Sequence, residues 1–552
     1  MTAGQRQAAA SAAASAAAAA ADGGGGGGFM NCVQQAMLPA GLPVLPQAEV
    51  GACYLAAGDQ AAGGDWFDAL QFGDRAVALV VGDIAGSGVA ASAAMGQLRA
   101  VLAELLAAST DVPGVLARAD AFAARNPELQ AASLAIAALD PASGSLRYAT
   151  CGCPPPLILA ADGTARFLPC SAAGPLGVGS RPALATGLLR SGEALLLYTN
   201  GLINRPGKTV SQAMAELAAA AAHAAIQPAE AAHLPPGGRP DLGSPGQDGA
   251  ESTADRICRQ TVEQVAAAGY DDDIAVVAVR RLVAPVKPLR LVLPAKLGSL
   301  RIIRRAFGEW LDQLEPALGE RTDIELAVAE TVTNAVEHAY PEDQPGQVEL
   351  EARLTADGRL DCSITDYGSW RPPDLGVSHR GYGLMVASQV VDQMDVRHPR
   401  QAGDGASDAP GTIVRLRHRL RRLPPRCDRQ PRAGRPAIWE PDRPGAPLEV
   451  RTTTEDGGVR VRVSGPVDAA TAPRLSRQLL TASRGGTISL TVDVTGVSQL
   501  TSSGIRVLYQ VRDRITAQEQ ELTLLATPGS SVALLLEFAN LSASFPVDVS
   551  HL

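Results

Sequence analysis

The sequence has little that favours a membrane, a nucleic acid or a metal–thiolate site. Its formal net charge is -9, so no overall positive field attracts a phosphate backbone or an anionic membrane. It has no run of about twenty strongly apolar residues, the length that a membrane-spanning helix needs. Its 8 cysteines are scattered, and the one close pair, Cys151 and Cys153, has no histidine or second pair nearby. Buried or idle thiols in a reducing cytoplasm are the favoured interpretation.

Changes of composition divide the chain, because 552 residues exceed what one core supports. Residues 1–28 are low-complexity and predict a disordered tail. Residues 29–282 mix apolar runs with Ala-rich helical stretches, and a Pro- and Gly-rich segment, 227–253, predicts a flexible insertion. Residues 289–418 and 447–552 also alternate strand and helix patterns. Three folded domains of mixed α/β and α+β class are therefore predicted.

The segment 419–446 is dense in arginine and proline. A solvated interdomain linker is the favoured interpretation. A basic patch for a polyanion stays open as the alternative.

Aspartates in the first block stand where apolar strands run into glycines or turns. Asp65 lies in GGDWFD, Asp83 in VVGDIAGSG and Asp272 in YDDDIAVVAV. Carboxylates held in this way suit Mg or Mn, and converging acids could hold two ions that generate a bound hydroxide. Ordinary strand-end turns explain each motif taken alone.

With QQAMLP, MGQLR and LLLYTNGLI, these motifs make residues 30–281 resemble the SpoIIE-type serine phosphatases, relatives of the type-2C metal-dependent phosphatases. The resemblance implies a layered αββα fold, two Mn or Mg ions and hydrolysis of phosphoserine, with Asp65 and Asp83 at the catalytic centre. The implied metal ligands are Asp65, Asp83, Asp272, the backbone carbonyl of Ile84, and Asn200.

Three positions depart from that family's usual pattern. Asn200 and Asn204 stand where acids are usual, and Ser87 stands where histidine is common. Because asparagine offers a neutral oxygen in place of a charged one, we expect weakened binding of one metal and a phosphatase that stays active.

In the second block, Glu330 and Asn334 of ELAVAETVTNAVEHAY are four residues apart and share a helix face. Asn334 could hold Mg while Glu330 takes a proton from an incoming hydroxyl. A surface helix with polar residues at this spacing is the alternative. The pattern predicts a helix capped by Thr322 or Asp323.

Downstream lie ITDYGSW, RGYGLMV and PGTIVRL, and with that helix they make residues 289–418 resemble the GHKL ATPase fold of anti-sigma-factor serine kinases. The resemblance implies an α/β sandwich that binds Mg-ATP, Glu330 as catalytic base, and an enzyme type that is often a homodimer. The implied nucleotide contacts are Asn334 through Mg, Asp366 on adenine, Gly381 and Gly383 in the ATP lid, and also Gly368 and Thr412. Trp370 replaces a usual glycine and could narrow the adenine pocket.

In the third block, QLTSSGIRVL and GPVDAATAPRLSRQLL make residues 447–548 resemble the STAS-domain anti-sigma-factor antagonists. The resemblance implies a small α/β domain phosphorylated on Ser502. The alternative is that Ser502 or Ser503 merely caps a helix, and the two roles are compatible because a helix start tolerates added negative charge. Thr501 replaces the family's usual aspartate.

Together the three resemblances imply a partner-switching regulator. The kinase domain would phosphorylate a STAS serine, the phosphatase domain would remove the phosphate, and a sigma factor or other target would be released. The substrate is either this chain's Ser502 or a separate STAS phosphoprotein. The alternative is a non-catalytic ATP-binding scaffold that docks STAS or sigma-factor partners; an enzyme for small phosphoesters is less favoured.

Overall fold

The computed structural model describes most of the three predicted domains. The described residues are 38–39, 41–57, 63–86, 88–179, 183–205, 207–226, 252–340, 346–368, 382–397, 411–424, 447–455, 458–468, 470–541 and 547–548. The predicted tail, nearly all of the insertion and most of the linker lie outside them.

The first unit is a sandwich of two five-stranded sheets with helices on both outer faces, the predicted αββα arrangement. Its strands are β1 (Leu42–Pro43), β2 (Ala48–Leu55), β3 (Trp66–Phe72), β4 (Ala76–Asp83), β5 (Ser133–Leu139), β6 (Ser145–Cys151), β7 (Leu157–Leu159), β8 (Ala165–Phe167), β9 (Ala185–Leu188), β10 (Ala194–Tyr198) and β11 (Ile274–Arg281). Its helices are α1 (Gly88–Ala108), α2 (Val112–Ala124), α3 (Val210–Ile226) and α4 (Thr253–Ala266). The sheet orders are β2-β11-β10-β7-β8 and β3-β4-β5-β6-β9.

Strands β4 and β10 are buried at almost every position because both of their faces are covered. The inter-sheet core includes Phe67, Leu79 and Val277. By length and a mean hydropathy of 1.3, α1 is the one described helix apolar enough to span a membrane. Its Met95 and Leu98 are buried in the core cluster over the second sheet, which accounts for its apolar character.

The second unit is one antiparallel sheet of order β12-β13-β14-β16-β15 with helices packed on one face. Its strands are β12 (Leu289–Pro294), β13 (Gln347–Leu354), β14 (Arg359–Asp366), β15 (Gln393–Arg397), β16 (Thr412–Arg419) and β17 (Arg421–Arg422). Its helices are α5 (Leu297–Asp312), α6 (Leu318–His338) and α7 (Tyr382–Val390).

Helix α6 begins earlier than the sequence pattern predicts. Ala317 is its N-cap, so the prediction of a cap at Thr322 or Asp323 is wrong. The Ala317 N–H donates to the carbonyl of Arg421 at 2.8 Å, a contact with a distant segment that fixes the helix start. Thr322 lies inside the helix, where its hydroxyl donates to the Leu318 carbonyl.

The third unit is a five-stranded sheet of order β18-β19-β20-β21-β22. Its first pair is antiparallel and the other pairs are parallel. The strands are β18 (Glu449–Glu455), β19 (Gly458–Val467), β20 (Leu490–Leu500), β21 (Leu522–Leu525) and β22 (Val547–Asp548). The helices are α8 (Ala472–Ala482), α9 (Ser502–Thr516) and α10 (Ser531–Phe538). This small layered α/β unit has the predicted class.

One expectation about the thiols is wrong. Cys53 is disulfide-bonded and is therefore not an idle thiol. Cys151, Cys153, Cys170 and Cys362 are free thiols, and burial raises the pKa of Cys151 to about 12, so that thiol is unreactive at neutral pH.

The first two units are joined where β1 pairs with β17. The predicted linker therefore begins inside ordered structure, because β16 runs to Arg419 and β17 is Arg421–Arg422. Arg422 binds Asp255 of α4 at 2.9 Å and Glu315 of the second unit at 3.0 Å, and its guanidinium also donates to the Val50 carbonyl. One guanidinium thus connects the two units.

We predict that Arg422→Ala lowers the free energy of unfolding by about 3 kcal/mol, because it removes the cation facing a buried carboxylate. Thermal or urea unfolding of the full chain measures the change. The matched control is Arg305→Ala, which breaks an exposed pair with Glu309 and should cost less than about 0.5 kcal/mol. Equal effects of the two substitutions would contradict this account of the junction.

Candidate active site

The predicted acidic residues of the first unit lie at one end of its sandwich. Asp83 ends β4, Asp65 immediately precedes β3, and Asp272 lies just before β11. Because neighbouring strands are antiparallel, the ends of β4 and β10 adjoin the starts of β3 and β11. Asn200 follows β10 and opens a 3-10 turn, Asn200–Leu202, so it lies at the same end.

Two glycines of the GGD motif bring these segments close together. A Cβ on Gly64 would lie 2.1 Å from the Ile84 carbonyl oxygen, and the Ile84 N–H donates to the Gly64 carbonyl at 3.3 Å. A Cβ on Gly63 would lie 1.2 Å from Oδ2 of Asp273. Any side chain at either glycine would displace the backbone that carries Asp65.

Burial and mutual repulsion disfavour ionisation of these acids. Asp65 is 1% exposed and Asp83 is 5% exposed. The pKa of Asp65 is raised well above its ordinary value, first by burial and then by the charges of Asp83 and Asp272. Burial and the charge of Asp83 likewise raise the pKa of Asp272. The cluster therefore favours protonated acids or a bound cation over several free carboxylates.

The donor set of this cluster fits a hard divalent cation in its chemistry. Oδ2 of Asp65 and Oδ1 of Asn200 are buried oxygens without a hydrogen-bond partner among the described residues, and oxygen acceptors of this kind bind Mg or Mn. No three Asp, Glu, His or Cys side chains of the described chain are already arranged as a metal-binding group. Asp83 instead accepts a hydrogen bond from the third unit.

The donor of that hydrogen bond is Ser502, the predicted phosphorylation site. The Ser502 hydroxyl donates to Oδ2 of Asp83 and accepts from Nδ2 of Asn200 at 2.9 Å. This hydrogen bond opposes the rise in the pKa of Asp83 that burial causes. Around it, Asn204 Nδ2 lies 3.4 Å from the Leu500 carbonyl, and Gln499 Nε2 donates to Asp271 at 3.0 Å.

The interpretation of Ser502 or Ser503 as a helix cap is wrong. The N-cap of α9 is Thr501, and its side chain makes no capping hydrogen bond; its hydroxyl donates instead to the Val467 carbonyl at 3.2 Å. Ser502 is the first helical residue, and its hydroxyl is used by the first unit.

Three residues at this centre are ones that motif reasoning did not assign. Asp273 accepts from the Ala57 N–H at 2.7 Å. Tyr54 lies beside it, and its pKa is raised by burial and then by the charge of Asp273. Thr199 accepts from the Ala275 N–H at 2.9 Å and also hydrogen-bonds Asp65. Asp273 was visible in the DDD run, whereas nothing near Tyr54 in the sequence marks it.

In the second unit, three of the predicted nucleotide residues lie on α6 and at the end of β14, two elements that pack against each other. Glu330 and Asn334 are half-buried on α6. Asp366 is buried at the end of β14, and its Oδ1 accepts from the N–H groups of Gly368 at 3.1 Å and Thr412 at 3.2 Å. A Cβ on Gly368 would lie 1.9 Å from the Ala339 carbonyl oxygen just beyond α6. The glycine thus lets the segment after Asp366 approach the end of the helix that carries Glu330.

The predicted ATP lid is only partly described. Gly383 lies in the first turn of α7. Gly381 and Trp370 lie outside the described residues, as does Ser87 of the phosphatase motif.

Three parts of the chain match family models. They are Stage II sporulation protein E (SpoIIE) at residues 73–234, the histidine kinase-like ATPase domain at 293–417 and the STAS domain at 449–551. The chain resembles the crystal structure of the RsbU and RsbW domains of a protein from Mycobacterium tuberculosis, with 35% identity and a TM-score of 0.59 over 71% of this chain and 98% of that one.

Two curated relatives cover the second unit. An anti-sigma F factor of Clostridium botulinum (strain Eklund 17B / Type B) is 35% identical over 128 residues, which are 21% of this chain and 87% of the relative. The serine-protein kinase RsbW of Bacillus subtilis (strain 168) is 28% identical over 125 residues, which are 20% of this chain and 78% of the relative.

We predict that Mn²⁺ raises the unfolding temperature of the full chain more at pH 7.5 than at pH 5. Without metal, acids whose pKa is raised on folding cost stability as pH rises above their unfolded pKa of about 4, and a cation offsets that cost. Asp65→Asn should increase the metal-free stability by at least about 1 kcal/mol and weaken the response to Mn²⁺.

The control is Asp74→Asn, which changes an exposed turn acid and should alter neither quantity. An unfolding temperature indifferent to Mn²⁺ at both pH values would contradict the assignment of this cluster as a cation site.

Proposed function

The chain belongs to the family that fuses a SpoIIE-type phosphatase to an anti-sigma-factor serine kinase domain, and we propose that these two domains act on its own Ser502. Here a STAS domain follows them. The chain is therefore a partner-switching regulator. It has a phosphatase domain and a serine kinase-like domain, and these imply divalent metal and ATP. The observation that carries the proposal is the hydrogen bond from Ser502 to Asp83 in the acidic centre.

The phosphatase centre is proposed to hold two Mn or Mg ions on Asp65, Asp83 and Asp272, with the Ile84 carbonyl and Asn200 as further ligands. Bound cations would neutralise the clustered carboxylates and activate water for attack on phosphorus. The protein contributes the position of the serine, because the cross-domain hydrogen bonds place Ser502 Oγ directly against Asp83.

The kinase centre is proposed to bind Mg-ATP with Asn334 on the metal and Asp366 on the adenine. The nucleotide contacts would be completed by Gly368, Gly381, Gly383 and Thr412. Glu330 is proposed to accept the proton of the serine hydroxyl. The close approach at Gly368, which puts Asp366 near the end of α6, supports this assignment.

The partner released by the switch is proposed to be a sigma factor, by analogy with the anti-sigma F factor relative. The cytoplasm, which supplies ATP, is the proposed location. The alternative function is a non-catalytic scaffold, which the neutral Asn200 in the acidic centre favours. In that case ATP would be bound without transfer of phosphate.

We predict that Asp83→Asn full chain, incubated with Mg-ATP, accumulates phosphate on Ser502, because the substitution disables removal without touching the kinase centre. Adding Glu330→Ala should slow that accumulation by about a hundredfold or more. Peptide mass spectrometry identifies the site, and Ser503→Ala controls for the neighbouring hydroxyl. The phosphorylated chain, mixed with wild-type protein and Mn²⁺, should then lose the phosphate.

A folded Asp83→Asn chain that binds ATP but carries no phosphate on Ser502 would contradict self-phosphorylation. If the wild-type chain also leaves a separate STAS phosphoprotein untouched in the presence of Mn²⁺, the scaffold is the correct function.

A further inference from the structure

Asn200 meets the Ser502 hydroxyl in a way that a carboxylate could not. A hydroxyl has one proton to donate, and Asp83 accepts it. The hydroxyl oxygen therefore needs a donor on its other side, and the Asn200 amide supplies one at 2.9 Å. An aspartate at position 200 would offer only acceptors, so the amide is matched to an unmodified serine.

The same chemistry recurs along the loop that carries Ser502. Gln499 presents its amide to the Asp271 carboxylate at 3.0 Å, and Asn204 presents its amide to the Leu500 carbonyl at 3.4 Å. At each contact an amide faces a group that can only accept. Both hydrogen bonds join the first and third units: Gln499 donates from the third unit, and Asn204 donates from the first.

Contacts away from the loop hold the two domains together. The Val210 N–H donates to the Ser531 hydroxyl at 3.0 Å, and Arg512 donates to the Val178 carbonyl at 3.1 Å. Leu217 of α3 and Leu535 of α10 belong to one buried apolar cluster. The serine loop is therefore anchored by a wider interface and not only by its own hydrogen bonds.

We propose that Asn200, with Asn204 and Gln499 at the rim, retains residues 499–503 in the phosphatase centre when Ser502 carries no phosphate. The chain then holds the product of its own dephosphorylation. This inference rests on the proposed function, because it assigns a fate to Ser502 after the phosphate has left.

Retention has a direct consequence for the kinase domain. Ser502 is 6% exposed in the docked arrangement, so a second active site cannot reach its hydroxyl. A phosphoserine lacks the donated proton and carries between about one and a half and two negative charges. It would face Asp83 as a like charge, so this hydrogen-bond arrangement selects the unphosphorylated serine. The loop must leave before Ser502 can be phosphorylated again.

Hydrogen exchange of the full chain in EDTA, without nucleotide, tests the retention directly. Asn200→Asp and Gln499→Glu each replace a donating amide by a carboxylate that faces an acceptor. Each should speed amide exchange in residues 499–504 by about tenfold, the effect of losing one interdomain hydrogen bond and gaining repulsion. The neighbouring strand, residues 490–496, should exchange at the wild-type rate and report that the domain stays folded.

The matched control is Asn126→Asp. Its amide donates to the Phe122 carbonyl at 2.6 Å within the first unit, so the chemical change is the same but lies outside the interface. It should leave exchange in 499–504 unchanged. Because Gln499 is not among the proposed metal or catalytic residues, its variant keeps the test valid even if Asn200→Asp alters metal binding or folding. The proposal is overturned if residues 499–504 exchange at the wild-type rate in the Gln499→Glu chain and also in a folded Asn200→Asp chain.

A second measurement separates this inference from the proposed function. With Mg-ATP, Gln499→Glu should acquire phosphate on Ser502 about tenfold faster than wild type, because the loop is released more often. If Ser502 is never phosphorylated but exchange increases as predicted, retention stands and self-phosphorylation fails. If Ser502 is phosphorylated at the wild-type rate and exchange does not change, retention alone fails.

Discussion

A hydrogen bond from the Ser502 hydroxyl to the Asp83 carboxylate joins the third unit to the first, across 419 positions of sequence. It places Ser502, the predicted phosphorylation site of the STAS domain, inside the acidic centre of the phosphatase domain that is proposed to remove the phosphate. Other contacts between the first and third units support this hydrogen bond. The amide of Asn200 completes the bonding of the hydroxyl, and the packing of α10 against α3 holds the loop in position.

The acidic centre is electrostatically unfavourable, and the hydrogen bond from Ser502 stabilises one of its carboxylates. Asp65, Asp83 and Asp272 are held together by glycines that admit no side chain, and each has a raised pKa. Such a cluster is stabilised by protons, by cations or by hydrogen-bond donors. Ser502 and Asn200 are donors of that third kind. Cations and the unmodified serine loop therefore offer two ways of stabilising one set of carboxylates.

Sequence reasoning predicted the fold and the convergence of the acids through the family resemblances, and it predicted the positions of the acids at strand ends through local patterns. Runs such as the one that forms β4 identify buried strands, and the GGD and GD motifs mark where carboxylates leave them. The contacts that depend on distant packing were not predictable. The start of α6 is fixed by Arg421, β17 is defined only by its pairing with β1, and Ser502 appears as a helix cap until its partner in another domain is known. The roles of Glu330, Asn334 and Asp366 remain predictions from resemblance; the contact of Gly368 with Ala339 and its hydrogen bond to Asp366 support them only in placing Asp366 near the end of α6.

Zero-length cross-linking of the full chain tests the central contact most directly. The sequence has lysine only at positions 208, 287 and 296, so Gln499→Lys introduces a nearly unique amine beside Asp271. The account predicts that a carbodiimide links residue 499 to Asp271 within one chain, that Gln518→Lys gives no such link, and that adding Ser502→Asp abolishes it. The native pair Lys208 and Glu216, 2.6 Å apart, reports that the reagent works. Formation of the native link without any link from residue 499 to Asp271 would contradict the docking of Ser502 in the acidic centre.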